Sequence, residues 1–361
     1  MKKLFILFTL VLLTLGTLTA CSSDEPEVVE EEKGYEIGLV TDIGTIDDKS
    51  FNQGAWEGVV AYAEANGLTY QYYQPAAAST ADYIEAITLA IDGGAKVVVT
   101  PGFMFAGAIY EAQTMYPEVN FILLDADPHT DDYSAFKIES NVYSIYYAEE
   151  QSGFLAGYAA VKDGMTNLGF MGGMAVPAVV RFGHGFVQGA EMAAVELGVD
   201  VTIKYEYLNS FAPDNNHQVK ASGWYSEGVE VIFVAAGGAG LSVMAAAEEA
   251  GKKVIGVDVD QSNLSESVIT SAMKGLTSSV EMALTDLYAG NFKGGVIDTL
   301  DVTVGGVGLP ADFSRFSTFT QADYDAIFAK LVSGEVVVVK DAASVNDLAV
   351  TKTTVTLIGA E

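Results

Sequence analysis

A repeated alternation of short apolar runs and helix-length segments constrains the fold of this chain more than any other feature. Runs such as 96–100 and 229–235 are rich in Val, Ile and Phe and are followed by Gly, Pro or Asp. Strands that alternate with helices predict parallel sheets with crossover helices, and continuous apolar strands fit burial on both faces. The sequence therefore predicts an α/β fold with parallel sheets flanked by helices. The candidate strands are 35–41, 69–73, 96–100, 119–124, 166–171, 201–207, 229–235 and 253–257, and the candidate helices are 51–66, 80–93, 104–116, 145–162, 180–197, 215–227 and 240–251.

The length of the chain favours two lobes. The first 33 residues read as an export signal and a tether, which leaves 328 of 361 residues. That length exceeds the roughly 250–300 residues at which one hydrophobic core stops growing. A turn at Asp163-Gly164 starts a second series of strands, and the stretch 262–271 reads as a return crossing. We expect lobe one to hold 34–163 plus 266–294, and lobe two 164–265 plus 295–361.

The amino terminus has the order of an export signal. Lys2 and Lys3 precede an apolar run that is too short to span a bilayer comfortably, and small residues lead to Cys21. Leu-Thr-Ala-Cys resembles the lipobox of bacterial lipoproteins, and Cys21 is the sole cysteine of the chain. We expect 1–20 to be a signal peptide and 21–33 to be a lipidated cysteine with an acidic linker. An uncleaved anchor, or an ordinary signal with an incidental cysteine, is the alternative.

Charge and residue usage argue against several classes of protein. The formal net charge of −30 repels phosphate backbones, so nucleic-acid binding is not expected. His129, His184 and His217 are widely separated and share no metal-ligand spacing, so no metal or cofactor is expected. Asp125 and Asp127 are spaced closely enough for acid–base work on a glycosidic bond, which keeps a nucleoside hydrolase as the enzyme alternative. We predict a binding protein instead.

Polar and aromatic residues gather where predicted strands end. Asp42 follows the first strand, Phe51 and Asn52 open the next helix, and Asp125 and Asp258 each follow an apolar strand. In open α/β sheets, ligands bind outside the carboxyl ends of the strands. We therefore expect these five residues to line one crevice.

The neighbouring Asp47 and Asp48 suit the start of the first helix. Carboxylates are favoured there because the helix dipole is positive at that end. We predict that both residues cap the helix and are structural.

The run from Val40 to Gly58 resembles the signature of the basic membrane protein family. The same resemblance continues, in order, at 121–125, 151–157, 172–186, 235–241 and 254–261. It implies a two-lobed periplasmic-binding-protein-like type I fold, often called a Venus flytrap. It also implies a monomeric receptor, lipid-anchored on the extracytoplasmic face of the membrane, that delivers nucleosides, purines above all, to an ABC-type permease. A sugar receptor of the same fold is the runner-up, and an adhesin or regulatory lipoprotein is a third possibility.

The resemblance also implies roles for residues that match by position. Phe51 would stack on a nucleobase, and Asn52 and Asp42 would hydrogen-bond its edge. Asp125, Asp258 and Lys274 would hold the ribose, although a solvated lysine is the ordinary expectation for Lys274. Two residues compete to be the second stacking ring. Phe211 is preferred because a loop of this kind carries the opposing aromatic in related sugar-binding proteins, and Phe182 is the alternative.

Replacing Cys21 with Ser tests the anchor. Acylation requires the thiol, so the variant should remain an unprocessed or soluble precursor without lipid. Partitioning between detergent and aqueous phases measures the difference. A variant that enters the detergent phase as fully as the parent would contradict the lipidation.

Overall fold

The computed structural model describes residues 34–360. The predicted signal peptide, Cys21 and the acidic linker lie outside the described residues. Within them the strands are β1 (Ile37–Val40), β2 (Tyr70–Tyr73), β3 (Val97–Pro101), β4 (Asn120–Leu124), β5 (Val142–Tyr147), β6 (Asn167–Gly172), β7 (Val201–Tyr207), β8 (Val231–Ala235), β9 (Lys253–Asp258), β10 (Val268–Lys274), β11 (Val296–Leu300), β12 (Val307–Gly308) and β13 (Thr353–Ile358). The α-helices are α1 (Phe51–Asn66), α2 (Thr80–Asp92), α3 (Ala106–Met115), α4 (Glu149–Lys162), α5 (Pro177–Leu197), α6 (Asn215–Ser226), α7 (Gly240–Ala250), α8 (Leu276–Tyr288) and α9 (Gln321–Val332).

The strands form two sheets. The first has the order β11-β5-β4-β3-β1-β2, with every neighbouring pair parallel. The second has the order β12-β10-β9-β8-β6-β7-β13 and is parallel except at β12, which runs antiparallel to β10. Helices cover the sheets, so most strand residues are buried. The predicted α/β class with parallel sheets flanked by helices is confirmed, and so are the eight candidate strands and seven candidate helices to within a few residues.

Small residues allow α4 and α5 to approach each other closely. A Cβ atom on Gly157 of α4 would lie 2.0 Å from the carbonyl oxygen of Phe186 on α5, and one on Gly153 would lie 2.1 Å from that of Phe182. No side chain other than hydrogen fits at such a distance. The close approach fixes α4 on α5 and thereby fixes the start of α4 near the ends of the strands.

Sheet membership differs from the predicted lobe boundaries at two strands. The sequence predicts that 266–294 belongs to lobe one, yet β10 pairs with β9 in the second sheet. It predicts that 295–361 belongs to lobe two, yet β11 pairs with β5 in the first sheet. The physical reason is that β10 is buried along almost its whole length as a strand of the second sheet, so the chain crosses back after it rather than before it. The remaining boundaries stay predictions.

Five strands have no counterpart among the eight predicted ones: β5, β10, β11, β12 and β13. β5 overlaps the start of the helix predicted over 145–162, but that helix begins at Glu149. No helix among residues 34–360 is both long and apolar enough to cross a membrane.

Candidate functional site

A cavity of about 320 Å³ lies at the carboxyl ends of strands from both sheets. This volume falls within the roughly 300–1,000 Å³ of small-ligand sites. All eight residues predicted for the site line it: Asp42, Phe51, Asn52, Asp125, Phe182, Phe211, Asp258 and Lys274. Apolar side chains complete the wall, among them Ile43, Phe103, Met104, Val176, Val179 and Leu241. The structure brings the predicted residues together, and their contact with a ligand remains a prediction.

Asn52 is engaged by its own neighbours. Its amide nitrogen donates to Asp42 Oδ1 at 2.9 Å and to Asp48 Oδ2 at 3.1 Å, and its oxygen accepts from the backbone N–H of Asp42 at 3.3 Å. A side-chain amide has two N–H donors, and both are used. In this arrangement Asn52 orients the carboxyl of Asp42, whose Oδ2 accepts no hydrogen bond from the described part of the chain.

Asp48 acts at the start of α1 as predicted. Its two carboxylate oxygens accept from the backbone N–H groups of Ser50, Asn52 and Gln53 at 2.9–3.1 Å. These are first-turn amides that lack a partner within the helix. Asp47 makes no such bond among the described residues and instead lines the mouth of the cavity. The capping prediction is confirmed for Asp48 and wrong for Asp47.

Three of the four phenylalanines in the wall are predicted site residues. Phe51 and Phe211 are partly exposed to the cavity, whereas Phe182 is 2% exposed and packs edge-on against Phe233 at 5.9 Å. Phe211 lies so close to Gly173 that a Cβ there would meet its ring at 2.3 Å. Both candidates for the second stacking ring are therefore at the cavity, and the preference for Phe211 stays a prediction.

Lys274 is a buried cation rather than a solvated one. Its side chain is 2% exposed, and its ammonium pairs with Asp125 and, at 3.1 Å, with Glu149. The rings of Phe51 and Tyr147 lie 4.8 and 5.4 Å away. Burial disfavours the charged form, but the surrounding carboxylates outweigh burial and raise the pKa of Lys274.

Glu149 is a site residue that the sequence analysis missed. It is fully buried and begins α4 directly after β5. The sequence predicts no strand directly before Glu149, so the expectation that ligands bind at the carboxyl ends of strands does not point to it. The signal that would have found it is the run Val142–Tyr147 followed by two glutamates.

Contacts between residues of the two sheets run along the cavity. Ser50, which precedes α1, donates from its hydroxyl to Asp258 Oδ2 at 2.5 Å. Lys274, at the end of β10, pairs with Asp125, which follows β4. Asp125 and Asp258 both have left-handed backbones, with φ of 60° and 66°. Such conformations are costly for residues other than glycine and cluster at functional sites.

The cavity is rich in negative charge. Asp42, Asp48, Asp125 and Asp258 line it together with Asp47, whereas Lys274 is the one cation among the lining residues of the described chain. Burial raises the pKa of Asp42 to about 6, against the opposing hydrogen bonds from Gly44 and Asn52. Burial also raises the pKa of Asp258 to about 6, against the opposing charge of Lys274. Such a wall favours neutral ligands that donate hydrogen bonds. Residues 34–360 contain no group of three or more His, Cys, Asp or Glu side chains arranged to hold a metal ion.

Sequence comparison identifies relatives over most of the chain. The family described as "ABC transporter substrate-binding protein PnrA-like" matches residues 36–342. An "ABC transporter nucleoside-binding protein BmpA" of Lactococcus lactis is 31% identical over 86% of this chain and 92% of its own length. A "CD4+ T-cell-stimulating antigen" of Listeria monocytogenes is 32% identical over 93% of this chain and 98% of its own. "Basic membrane protein A" of Borreliella burgdorferi is 28% identical over 84% and 87%.

Solved structures share the fold. An ABC transporter solute-binding protein of Aeropyrum pernix superposes with a TM-score of 0.75 at 22% identity, over 86% of this chain and 95% of that one. The arabinose-binding protein AraP of Geobacillus stearothermophilus gives 0.57 at 12% identity, over 80% and 100%. At these identities the likeness establishes the two-lobed architecture of solute-binding proteins.

Replacing Asp42 with Asn should change how stability depends on pH. A carboxyl whose pKa rises from 3.8 to about 6 on folding stabilises the folded state below pH 4, and that contribution is lost as the pH rises through 6. Asparagine does not titrate, so the free energy of unfolding of the variant does not fall in this way. Relative to that of the parent, it should rise by up to about 3 kcal/mol between pH 4 and pH 7. Urea unfolding of the ligand-free proteins measures the difference.

Asp47→Asn is the matched control for this measurement, since Asp47 is an exposed carboxyl of the same loop. It should change stability by less than about 0.5 kcal/mol at either pH. A difference between Asp42→Asn and the parent that is equal at pH 4 and pH 7 would show that burial does not perturb this carboxyl.

Proposed function

The chain belongs to the family of PnrA-like ABC transporter substrate-binding proteins, and on that premise we propose that it binds nucleosides, with purine nucleosides preferred, in the cleft between its lobes. A nucleoside combines a flat apolar base with hydroxyl groups that donate hydrogen bonds. The cavity combines aromatic rings with carboxylates, which complement those two parts.

The observation that carries the proposal is the presence of both Phe51 and Asp125 in the wall of the cavity. Phe51 offers a partly exposed ring, and Asp125 Oδ1 is buried without a hydrogen-bond partner in the described chain. An unsatisfied buried acceptor costs roughly 1–3 kcal/mol, and a ligand hydroxyl would remove that cost. An apolar ring and a buried carboxylate oxygen without a donor, both in the wall of one cavity, suit a base joined to a sugar.

The charge of the cavity supports nucleosides over nucleotides. A phosphate would have to be desolvated beside Asp42, Asp125 and Asp258, with Lys274 already paired to Asp125. Repulsion from three carboxylates opposes that binding. The nucleoside-binding relative of Lactococcus lactis supports the same ligand class.

Lobe closure would couple binding to transport. Ser50 with Asp258, and Asp125 with Lys274, already join residues of the two sheets beside the cavity. A ligand that contacts both lobes only in the closed state shifts the population toward that state. In the proposed mechanism the closed, loaded form meets a membrane permease.

The proposal also covers the cellular location of the protein and the transporter that it serves. Members of this family serve ABC transporters as substrate-binding proteins outside the cytoplasm. We infer a monomer that is held at the membrane by lipid on Cys21 and that delivers its ligand to an ABC-type permease.

Two substitutions distinguish a stacked base from a bound sugar. Phe51→Ala should lose roughly 1–3 kcal/mol of nucleoside affinity, the range for base–aromatic stacking, and leave free ribose unaffected. Asp258→Ala should weaken nucleoside and ribose alike, because it removes a hydroxyl acceptor. Calorimetric titration with a nucleoside, its free base and ribose measures both patterns.

Phe136→Ala is the matched control, because Phe136 is 53% exposed and does not line the cavity. It should bind as the parent does, and circular dichroism should show that all variants fold. A parent that prefers ribose to every nucleoside, with nucleoside affinity unchanged in Phe51→Ala, would identify a sugar receptor.

A further inference from the structure

Charged side chains of alternating sign lead from the protein surface to the cavity. The row comprises, in order, Asp341, Arg181, Glu149, Lys274 and Asp125. Asp341 is on the surface, with a side chain that is 63% exposed, and Arg181 lies 3.2 Å from it. Each member belongs to a different segment of the chain, so the row exists only in the folded protein.

Glu149 is the central member and the most buried. Its side chain is 0% exposed, and neither carboxylate oxygen has a hydrogen-bond partner in the described chain. Two cations flank it as ion pairs, Lys274 at 3.1 Å from Oε1 and Arg181 at 3.8 Å from Oε2. Burial raises the pKa of Glu149, and the charges of Lys274 and Arg181 oppose that shift while Asp125 and Glu150 add to it. Burying a carboxylate is costly, and its two ion pairs with Lys274 and Arg181 offset that cost.

A role in starting α4 does not account for Glu149. Acidic residues are favoured in the first turn of a helix, but Glu150 occupies that turn as well. Moreover, the carboxylate of Glu149 accepts nothing from the first-turn amides. The two glutamates differ in what they face, because Lys274 pairs with Glu149, whereas Glu150 lies near Arg181, Lys340 and Asp341.

The ammonium of Lys274 is drawn in two directions. It hydrogen-bonds to Asp125 on one side and pairs with Glu149 on the other, while the rings of Phe51 and Phe182 lie 4.8 and 5.4 Å away. The ammonium therefore lies between two carboxylates, of which only Asp125 lines the cavity. Without Glu149, the ammonium would lose one of its two carboxylate partners and would be held by Asp125 alone.

We propose that Glu149 is a positioning residue that holds the ammonium of Lys274 where it meets ligand hydroxyls, with Arg181 supporting Glu149 from behind. This inference rests on the proposed function, since it assigns Glu149 to the sugar end of the nucleoside site. Glu149 does not line the cavity and acts through Lys274.

Glu149→Gln tests the proposal because it keeps the shape of the side chain and replaces the carboxyl group that pairs with Lys274. The variant should bind a nucleoside about tenfold more weakly, the order of effect of a charged hydrogen bond, and bind its 2′,3′-dideoxy analogue within about twofold of the parent. Glu150→Gln, the adjacent control, should bind both ligands within about twofold of the parent. Calorimetric titration supplies all of these affinities. Equal weakening of both ligands by Glu149→Gln would indicate a general structural role and overturn the inference.

A double-mutant cycle shows whether Glu149 acts through Lys274. In a Lys274→Met background, Glu149→Gln should change nucleoside affinity by less than about twofold, because the group it positions is gone. An additive loss would overturn the inference. Should Glu149→Gln fail to fold by circular dichroism, Arg181→Gln serves instead, with a smaller loss that is again confined to the nucleoside. A parent that binds neither ligand overturns the proposed function itself, whereas a parent that binds the nucleoside while Glu149→Gln binds it equally well overturns only this inference.

Discussion

The site depends on a buried ammonium group held between carboxylates at the meeting of two sheets. Lys274 ends a strand of the second sheet, Asp125 follows a strand of the first, and Glu149 begins the helix that packs tightly on α5. A buried charge is tolerated only when it is paired, so Lys274 can be buried at this position only while these elements meet. Because the paired groups come from both sheets, the geometry of the cavity depends on how the two lobes are placed.

That requirement also decides what the cavity can accept. Lys274 is already paired, which leaves a wall dominated by carboxylates and aromatic rings. Anions meet repulsion there, and ligands with hydroxyl donors and a flat apolar part meet complementary groups. The left-handed backbones of Asp125 and Asp258 turn the chain sharply just where the strands end. Such strained backbone conformations persist only where the surrounding structure enforces them, and they cluster at functional sites.

The sequence anticipated most of this site because strand ends are readable. Apolar runs that stop at Asp42, Asp125 and Asp258 identify the carboxyl ends of strands in both sheets, and the resemblance to a known family supplied Lys274, Phe182 and Phe211. Long-range pairing was less readable. Glu149 was missed because β5 mixes tyrosine and serine with apolar residues and was read as part of a helix. Nor does any sequence pattern reveal that both N–H donors of Asn52 are engaged by Asp42 and Asp48, or that β10 joins the second sheet.

The central claim is that the cavity is built for a nucleoside, and the most direct measurement identifies the ligand without choosing it beforehand. Protein purified under native conditions is denatured, and the small molecules that it releases are identified by mass spectrometry against a blank from the same purification. The account predicts a nucleoside in stoichiometric quantity, with purine nucleosides dominant. Release of a free sugar or of a phosphorylated nucleotide in its place would contradict it.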